Sequence, residues 1–162
     1  MKKAVCVLLI ALTACLSDKP QRVTDPQQGY TAVFPGAPMR ARHSENTPFG
    51  DVTWFSTAYT GRLSQVYMVE VGTLPPGQAG GETQGEILQT LKNWISTRYP
   101  GQISDLEADL GPGIRYHTDN ENIHAMGMVV FRRGRLHHAS ASYRGSDDFR
   151  AKNFLGSFSV DP

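Results

Sequence analysis

Alternating apolar and polar positions predict that most of this chain forms short β-strands. Between residues 65 and 71 the alternate positions Tyr67, Val69 and Val71 are all apolar. Side chains two apart on a strand point to the same face, so these three are assigned to the core. The same patterns predict strands at residues 30–34, 51–59, 103–110, 114–118, 123–131 and 136–143, and an extended, exposed segment at 39–46.

One segment, residues 82–98, has the periodicity of a long amphipathic helix instead. Thr83 and Glu86 have the spacing of a capping box at its start, and Pro100 is expected to end it. The residues of its apolar stripe are Ile87, Leu88, Leu91, Trp94 and Ile95.

A shorter helix is predicted at residues 146–158, with Ser146 as its N-cap. Phe149, Phe154 and Phe158 are expected to anchor it to the sheet. The chain has strands, then a long helix, further strands and a short helix, and strands and helices do not alternate repeatedly. The order predicts an α+β fold, an antiparallel β-sheet with one long and one short helix packed against it.

The N-terminus has the layout of a bacterial secretion signal. Lys2 and Lys3 precede an apolar run at residues 4–11, which is much shorter than the ~20 residues that cross a bilayer. The four residues after this run resemble the lipobox of bacterial lipoproteins, in which the peptidase cuts before a cysteine that carries lipid. An ordinary secretion signal cut elsewhere is the alternative. The motif consists of Leu12, Thr13, Ala14 and Cys15.

This resemblance implies a signal peptide at residues 1–14 and attachment to a membrane through lipidated Cys15. Residues 15–28 are polar with two prolines and are predicted to be a flexible tether, followed by one domain at 29–160. Leu16 follows the cysteine, where an aspartate would favour retention in the inner membrane. We therefore expect the periplasmic face of the outer membrane.

Composition limits the chemistry of the mature chain. Cys6 lies in the signal and Cys15 would be lipidated, so no thiol remains for a disulfide, a metal or a nucleophile. Without Lys2 and Lys3 the chain has 14 basic and 15 acidic residues, which argues against a nucleic-acid partner.

Two short motifs resemble the PsbP-like domains, a group that includes DcrB-like envelope lipoproteins. Residues 30–38, YTAVFPGAP, are similar to their opening strand and turn, and residues 153–158, NFLGSF, are similar to their closing helix. The resemblance covers about residues 29–160 and implies an α/β/α sandwich that serves as an accessory or binding module. It implies no catalytic set, and nothing matches a metal motif, so the manganese-related role of the photosystem relatives is not expected.

The five histidines suggest a metal site, but their placement argues against one. His137 and His138 are adjacent on a strand and therefore point to opposite faces. With a turn at Arg133-Gly134, His137 would oppose Val130 and His124 would oppose Tyr143, several pairs apart. We predict no metal or other cofactor. A compact site would need contributions from Glu70, His117 or Asp119.

No catalytic residue is predicted. Ser157 lacks the second glycine of a G-x-S-x-G elbow, and Glu82 and Glu86 are explained by the start of the helix. The chain contains no phosphate-binding P-loop, and Gly111-Pro112-Gly113 does not meet the dinucleotide fingerprint.

Arg132, Arg133 and Arg135 form the densest cluster of charge, at the tip of a predicted hairpin. The cluster is either a solvated turn that discourages edge pairing or a contact for an acidic partner or anionic lipid head groups. The leading interpretation is a lipid-anchored, non-catalytic envelope domain that binds a protein partner. The alternatives are a small-ligand or metal-binding domain and an envelope hydrolase.

Overall fold

The computed structural model describes residues 19–75, 83–106, 111–119, 124–145 and 148–161. Within them the chain forms ten strands, two α-helices and one turn of 3-10 helix at Arg62–Ser64. The helices are α1 (Gln84–Arg98) and α2 (Asp148–Ser157). The strands are β1 (Gln21–Asp25), β2 (Tyr30–Phe34), β3 (Met39–Thr47), β4 (Gly50–Thr60), β5 (Val66–Thr73), β6 (Gln102–Asp105), β7 (Gly113–Asp119), β8 (His124–Arg132), β9 (Arg135–Tyr143) and β10 (Ser159–Val160).

The described strands form two sheets in which every pair is antiparallel. Seven strands follow the order β3-β4-β5-β9-β8-β7-β6, and three form a smaller sheet in the order β1-β2-β10. The predicted α+β class, with one long and one short helix on antiparallel strands, is confirmed. The predicted strands form close to their expected bounds except the one at 103–110, because β6 ends at Asp105 and residues 107–110 lie outside the described residues.

Helix α1 covers one face of the large sheet, where it packs against β6 and β7. Its capping box forms as predicted, because the Thr83 hydroxyl accepts from the Glu86 backbone N–H and the Glu86 carboxylate accepts from the Thr83 N–H. Trp94 stacks on Trp54 of β4, with ring centroids 5.9 Å apart. The predicted stripe therefore faces a core of its own.

The opposite face of the large sheet is covered by α2 and the small sheet together. The predicted core residues Tyr67, Val69 and Val71 are fully buried there. Phe154 of α2 packs on Phe34 of β2 at 5.2 Å and on Tyr67 at 5.5 Å between ring centroids. The molecule thus has three layers, with a separate apolar core on each side of the large sheet.

Two predictions about the ends of the domain are wrong. Residues 21–25, assigned to the tether, form β1 and pair with β2, so the folded part begins before residue 29. Phe149 does not anchor α2, because its side chain is 69% exposed, whereas Phe154 and Phe158 are buried. The pairing of β10 with β2 was not predicted.

The signal, Cys15, Glu82 and the predicted N-cap Ser146 lie outside the described residues. Among the helices that the structure does describe, none has the length and apolar character needed to span a membrane.

Candidate functional site

The arginine cluster lies on the hairpin between β8 and β9. Its turn is Arg133-Gly134, and both residues have positive φ, +50° and +71°. This conformation matches the twist of the two strands but is uncommon for a residue other than glycine. Arg132 and Arg135 are cross-strand partners, which places like charges directly opposite each other. Such a pair destabilises a hairpin unless an anion compensates.

The three arginines border a cleft of about 390 Å³, which we call the arginine cleft. Its other walls are residues 26–29, between β1 and β2, and Val160 and Asp161 at the end of β10. Arg135 donates a hydrogen bond to the Gln27 carbonyl at 2.7 Å. Arg132 and Arg133 have no ion-pair partner among the described residues. With three arginines and one carboxylate, that of Asp161, among its lining residues, the cleft carries a net positive charge.

His137 also lines the arginine cleft and is 3% exposed. Its Nδ1 has no hydrogen-bond partner within the described parts of the chain. Burial, and then the charges of Arg135 and Arg132, lower the pKa of His137 from 6.5 to about 4. The imidazole is therefore neutral at physiological pH.

The remaining histidines do not form a metal site with His137. The predicted pairs His137–Val130 and His124–Tyr143 are confirmed by the register, and His137 and His138 face opposite sides of the sheet. His117 and His124 both lie near Asp119, at 3.2 and 2.6 Å from its Oδ1. In the described residues no group of three His, Cys, Asp or Glu has an arrangement that could hold a metal ion.

A second group of polar side chains lies on the other face of the large sheet, under the end of α1. His138 is placed between Glu70 and Tyr116, with its Nδ1 3.5 Å from Glu70 Oε2 and its Nε2 2.9 Å from the Tyr116 hydroxyl. Ser56 donates to the other oxygen of Glu70 at 2.8 Å. The exposed His43 approaches this oxygen to 4.0 Å. These residues form a continuous polar row across β4, β5, β9 and β7.

Charges in this row are set by opposing effects. Burial opposes ionisation of Glu70, but the hydrogen bonds and charge supplied by His138, with Ser56 and His43, outweigh it, and the pKa of Glu70 is lowered. Burial raises the pKa of the Tyr116 hydroxyl strongly, and neighbouring Tyr99 raises it further. Tyr116 therefore stays a neutral phenol, hydrogen-bonded to His138, and is not a nucleophile.

Close packing holds Tyr116 in this row. A Cβ atom on Gly127 would lie 2.5 Å from the Tyr116 hydroxyl oxygen, so only glycine leaves room for the ring to reach His138. Tyr99, at the end of α1, stacks on Tyr116 with centroids 4.6 Å apart. The row thus joins the helix to the sheet.

Two other residues considered at the level of sequence have structural roles. Ser157 Oγ donates to the Phe154 carbonyl at 2.6 Å and accepts from the Val33 N–H at 2.9 Å, which ties α2 to the small sheet. Glu86 serves the capping box.

Sequence reasoning placed the arginines on the hairpin but missed the cleft behind them and the Glu70–His138 pair. The predicted β8–β9 register was the available signal for His137. The other residues that line the cleft lie between β1 and β2 and at the end of β10. No local sequence pattern connects these segments to the hairpin.

Comparisons with known proteins give a limited picture. No protein-family model matches the sequence, and no curated protein matches it. Among solved structures, the chain is similar to the solution structure of cyanobacterial PsbP (CyanoP) from Synechocystis sp. PCC 6803, at 15% sequence identity and a TM-score of 0.49. The match covers 94% of this chain and 98% of that chain. Values this low transfer no function to the present chain.

Proposed function

We propose that this protein is a lipid-anchored domain of the bacterial cell envelope that binds an acidic protein partner without catalysing a reaction. The observation that carries the proposal is the net positive charge that Arg132, Arg133 and Arg135 concentrate at the hairpin. A guanidinium is always charged and presents a fork of N–H donors suited to carboxylates.

The pairing of Arg132 with Arg135 supports a binding role over a purely solvated turn. β8 and β9 are interior strands of the large sheet, so their turn has no edge pairing to block, whereas the two opposed arginines repel each other across the strands. An acidic partner relieves this repulsion on binding. Complementary charge also raises the rate of association.

The proposal favours binding over catalysis because the other polar side chains that could take part in a reaction make hydrogen bonds within the fold. Ser157 bonds to two backbone groups, and Glu86 caps α1. His138 is held between Glu70 and Tyr116 beneath Tyr99. These contacts fix the side chains, while Arg132 and Arg133 are left to meet a partner.

The proposed location is the periplasmic face of the outer membrane, with Cys15 as the lipid attachment point. Its support is the signal layout and the lipobox-like residues Leu12, Thr13 and Ala14. Two or more acyl chains on one residue hold a protein stably at a bilayer, whereas one chain binds only marginally.

Replacing Cys15 with serine is expected to abolish incorporation of labelled palmitate in cells and to move the protein out of the membrane fraction. The reason is that the thiol is the only proposed point of acylation. The matched control is Cys6→Ser, which removes the other cysteine of the chain and should leave labelling intact. Palmitate label that survives in Cys15→Ser would show that the anchor is wrong.

Changing Arg132, Arg133 and Arg135 together to glutamine is expected to reduce specific in-cell crosslinks to protein partners at least about tenfold. Crosslinked proteins are identified by mass spectrometry from equal amounts of membrane-associated protein. The control changes the exposed arginines Arg22, Arg115 and Arg144 to glutamine and removes the same charge elsewhere. An unchanged crosslink profile in the cluster variant, or an equal loss in the control, contradicts the proposal.

A further inference from the structure

We propose that the arginine cleft is a discrete site for one carboxylate group of an acidic peptide segment, held by Arg132, Arg135 and His137. This inference rests on the proposed function, because the segment belongs to the acidic partner, but it adds a defined site and an additional binding residue. In this site His137 binds the ligand directly, whereas attraction by the surface arginines alone would not involve His137.

His137 is the first argument for a built site. It is 3% exposed, and its Nδ1 lacks a hydrogen-bond partner among the described residues. A buried polar group without a partner destabilises a fold, and an apolar ring of similar size avoids this loss. A neutral imidazole has one N–H, which a carboxylate oxygen can accept. Because Nδ1 is buried in the free protein, a bound carboxylate supplies the missing partner once the ring, which lines the cleft, turns toward it.

The charge of the cleft favours an acidic group such as a carboxylate. Arg132 and Arg135 share the sheet face of His137, since they are a cross-strand pair and residues 135 and 137 alternate on β9. Asp161 in the opposite wall offsets one of these two positive charges. With Arg133, which also borders the cleft, the net charge of the lining stays positive, and this charge attracts the carboxylate together with a neighbouring acidic residue of the same segment. Arg133 is exposed at the tip and adds attraction at longer range.

The walls of the arginine cleft are held in place before any ligand arrives. Asp25 Oδ1 accepts from the backbone N–H groups of Gln27 and Gln28 at 3.1 and 3.0 Å, which fixes the turn after β1. The Gln27 carbonyl in turn accepts from Arg135 at 2.7 Å and orients its guanidinium, which keeps further N–H donors for a ligand. Such preorganisation reduces the loss of side-chain freedom on binding.

The cleft is large enough to admit an acidic side chain. Its volume of about 390 Å³ lies near the lower end of the roughly 300–1,000 Å³ typical of small-molecule pockets. A glutamate, an aspartate or a C-terminal carboxylate enters such a space while the rest of the segment stays outside. Neighbouring acidic residues of the segment are then placed to meet Arg133.

The test measures binding of a hexaglutamate peptide to the full chain in detergent by calorimetry, with hexaglutamine as the uncharged comparison. Arg132→Gln combined with Arg135→Gln is expected to weaken binding at least about tenfold, since hydrogen bonds to charged groups are the stronger kind. His137→Phe keeps the size and burial of the ring and is expected to weaken binding about tenfold. Asp161→Asn is expected to tighten binding several-fold.

A second measurement follows His137 itself by NMR during a pH titration. The charged residues that line the cleft with the ring are Arg132, Arg133, Arg135 and Asp161. A carboxylate placed beside the ring favours its protonated form, so the peptide is expected to raise the pKa of His137 from about 4. A contact with the surface arginines alone leaves this pKa unchanged.

The controls separate a site from general charge attraction. Arg115→Gln with Arg144→Gln removes the same charge from other exposed positions and is expected to change the affinity for hexaglutamate less than about threefold. Thermal unfolding checks that each variant is folded. An equal loss in this control, unchanged binding by His137→Phe, or inorganic phosphate bound more tightly than the peptide each overturns the carboxylate site. Loss of crosslinks in the cluster variant with unchanged peptide binding overturns the site but leaves the proposed function standing.

Discussion

Replacing Trp54 with alanine is expected to lower the free energy of unfolding by about 3–5 kcal/mol. Trp54 is 2% exposed, lies on β4 and stacks on Trp94 of α1. The opposite position on β5 is Gly72, where a Cβ atom would lie 2.9 Å from Trp54 Cε3. The ring therefore fills the space above a glycine, and no side chain beneath it can expand into the cavity.

The measurement is urea denaturation followed by far-UV circular dichroism, because the change removes one of the two tryptophans that fluorescence would report. Trp54→Phe is the matched control. It keeps an aromatic ring against Trp94 and removes the indole N–H, which is buried without a partner among the described residues. Its loss is expected to be clearly smaller. Equal losses in the two variants would mean that the stacked ring does not hold α1 on the sheet.

Lowering the pH from 7 to 5 is expected to lower the free energy of unfolding by about 2 kcal/mol through His137 alone. The pKa of this residue is about 4 in the folded protein and 6.5 as an ordinary histidine. Below pH 6.5 the unfolded chain binds a proton that the folded protein does not bind. The effect is therefore absent above pH 6.5, grows as the pH falls and is complete below about 4.

His137→Phe isolates this contribution, since phenylalanine cannot be protonated in either state. Denaturation of both proteins at pH 7, 6 and 5 is expected to give a difference in stability that changes with pH in favour of the variant. Glu70, whose pKa is lowered from 4.5, affects stability mainly below this range. Parallel pH dependences in the two proteins would show that the ring of His137 is protonated as readily in the fold as outside it.

Local patterns in the sequence predicted the elements whose signals lie within a few residues. The capping box at Thr83 and Glu86 placed the start of α1, and the Gly134 turn placed the β8–β9 register. These two predictions are confirmed because hydrogen bonds between residues close together along the chain determine both features. The assignment of Tyr67, Val69 and Val71 to the core is confirmed for a related reason, because every residue on the buried face of β5 that they occupy is apolar.

Features that depend on distant contacts were not predicted. β1 consists of Gln21–Asp25, whose polar side chains resemble a linker, and it becomes a strand by pairing with β2. β10 is two residues long and also depends on β2. Phe149 lies on the exposed side of α2, whose rotation is set by Phe154 packing on Phe34 and Tyr67. Backbone pairing and packing across the chain override local composition here.

The candidate site also combines features that local sequence predicts with features that depend on distant contacts. The arginines are visible as a cluster in the sequence, whereas the cleft needs β1 and β10 to be placed beside the hairpin. Glu70 and His138 are 68 positions apart and meet because β5 pairs with β9. Neither the spacing nor the residue types predict that pairing.

Strand β1 also limits how far this protein can reach if Cys15 carries lipid. Only residues 16–20 lie between the anchor and Gln21, and an extended chain spans at most about 3.3–3.6 Å per residue. The start of β1 is then held within roughly 20 Å of the bilayer surface, and the arginine cleft, at the other end of this strand, within about 35 Å. Partners that engage the cleft must come to the same membrane, so encounter becomes a search within a thin layer and not throughout the compartment.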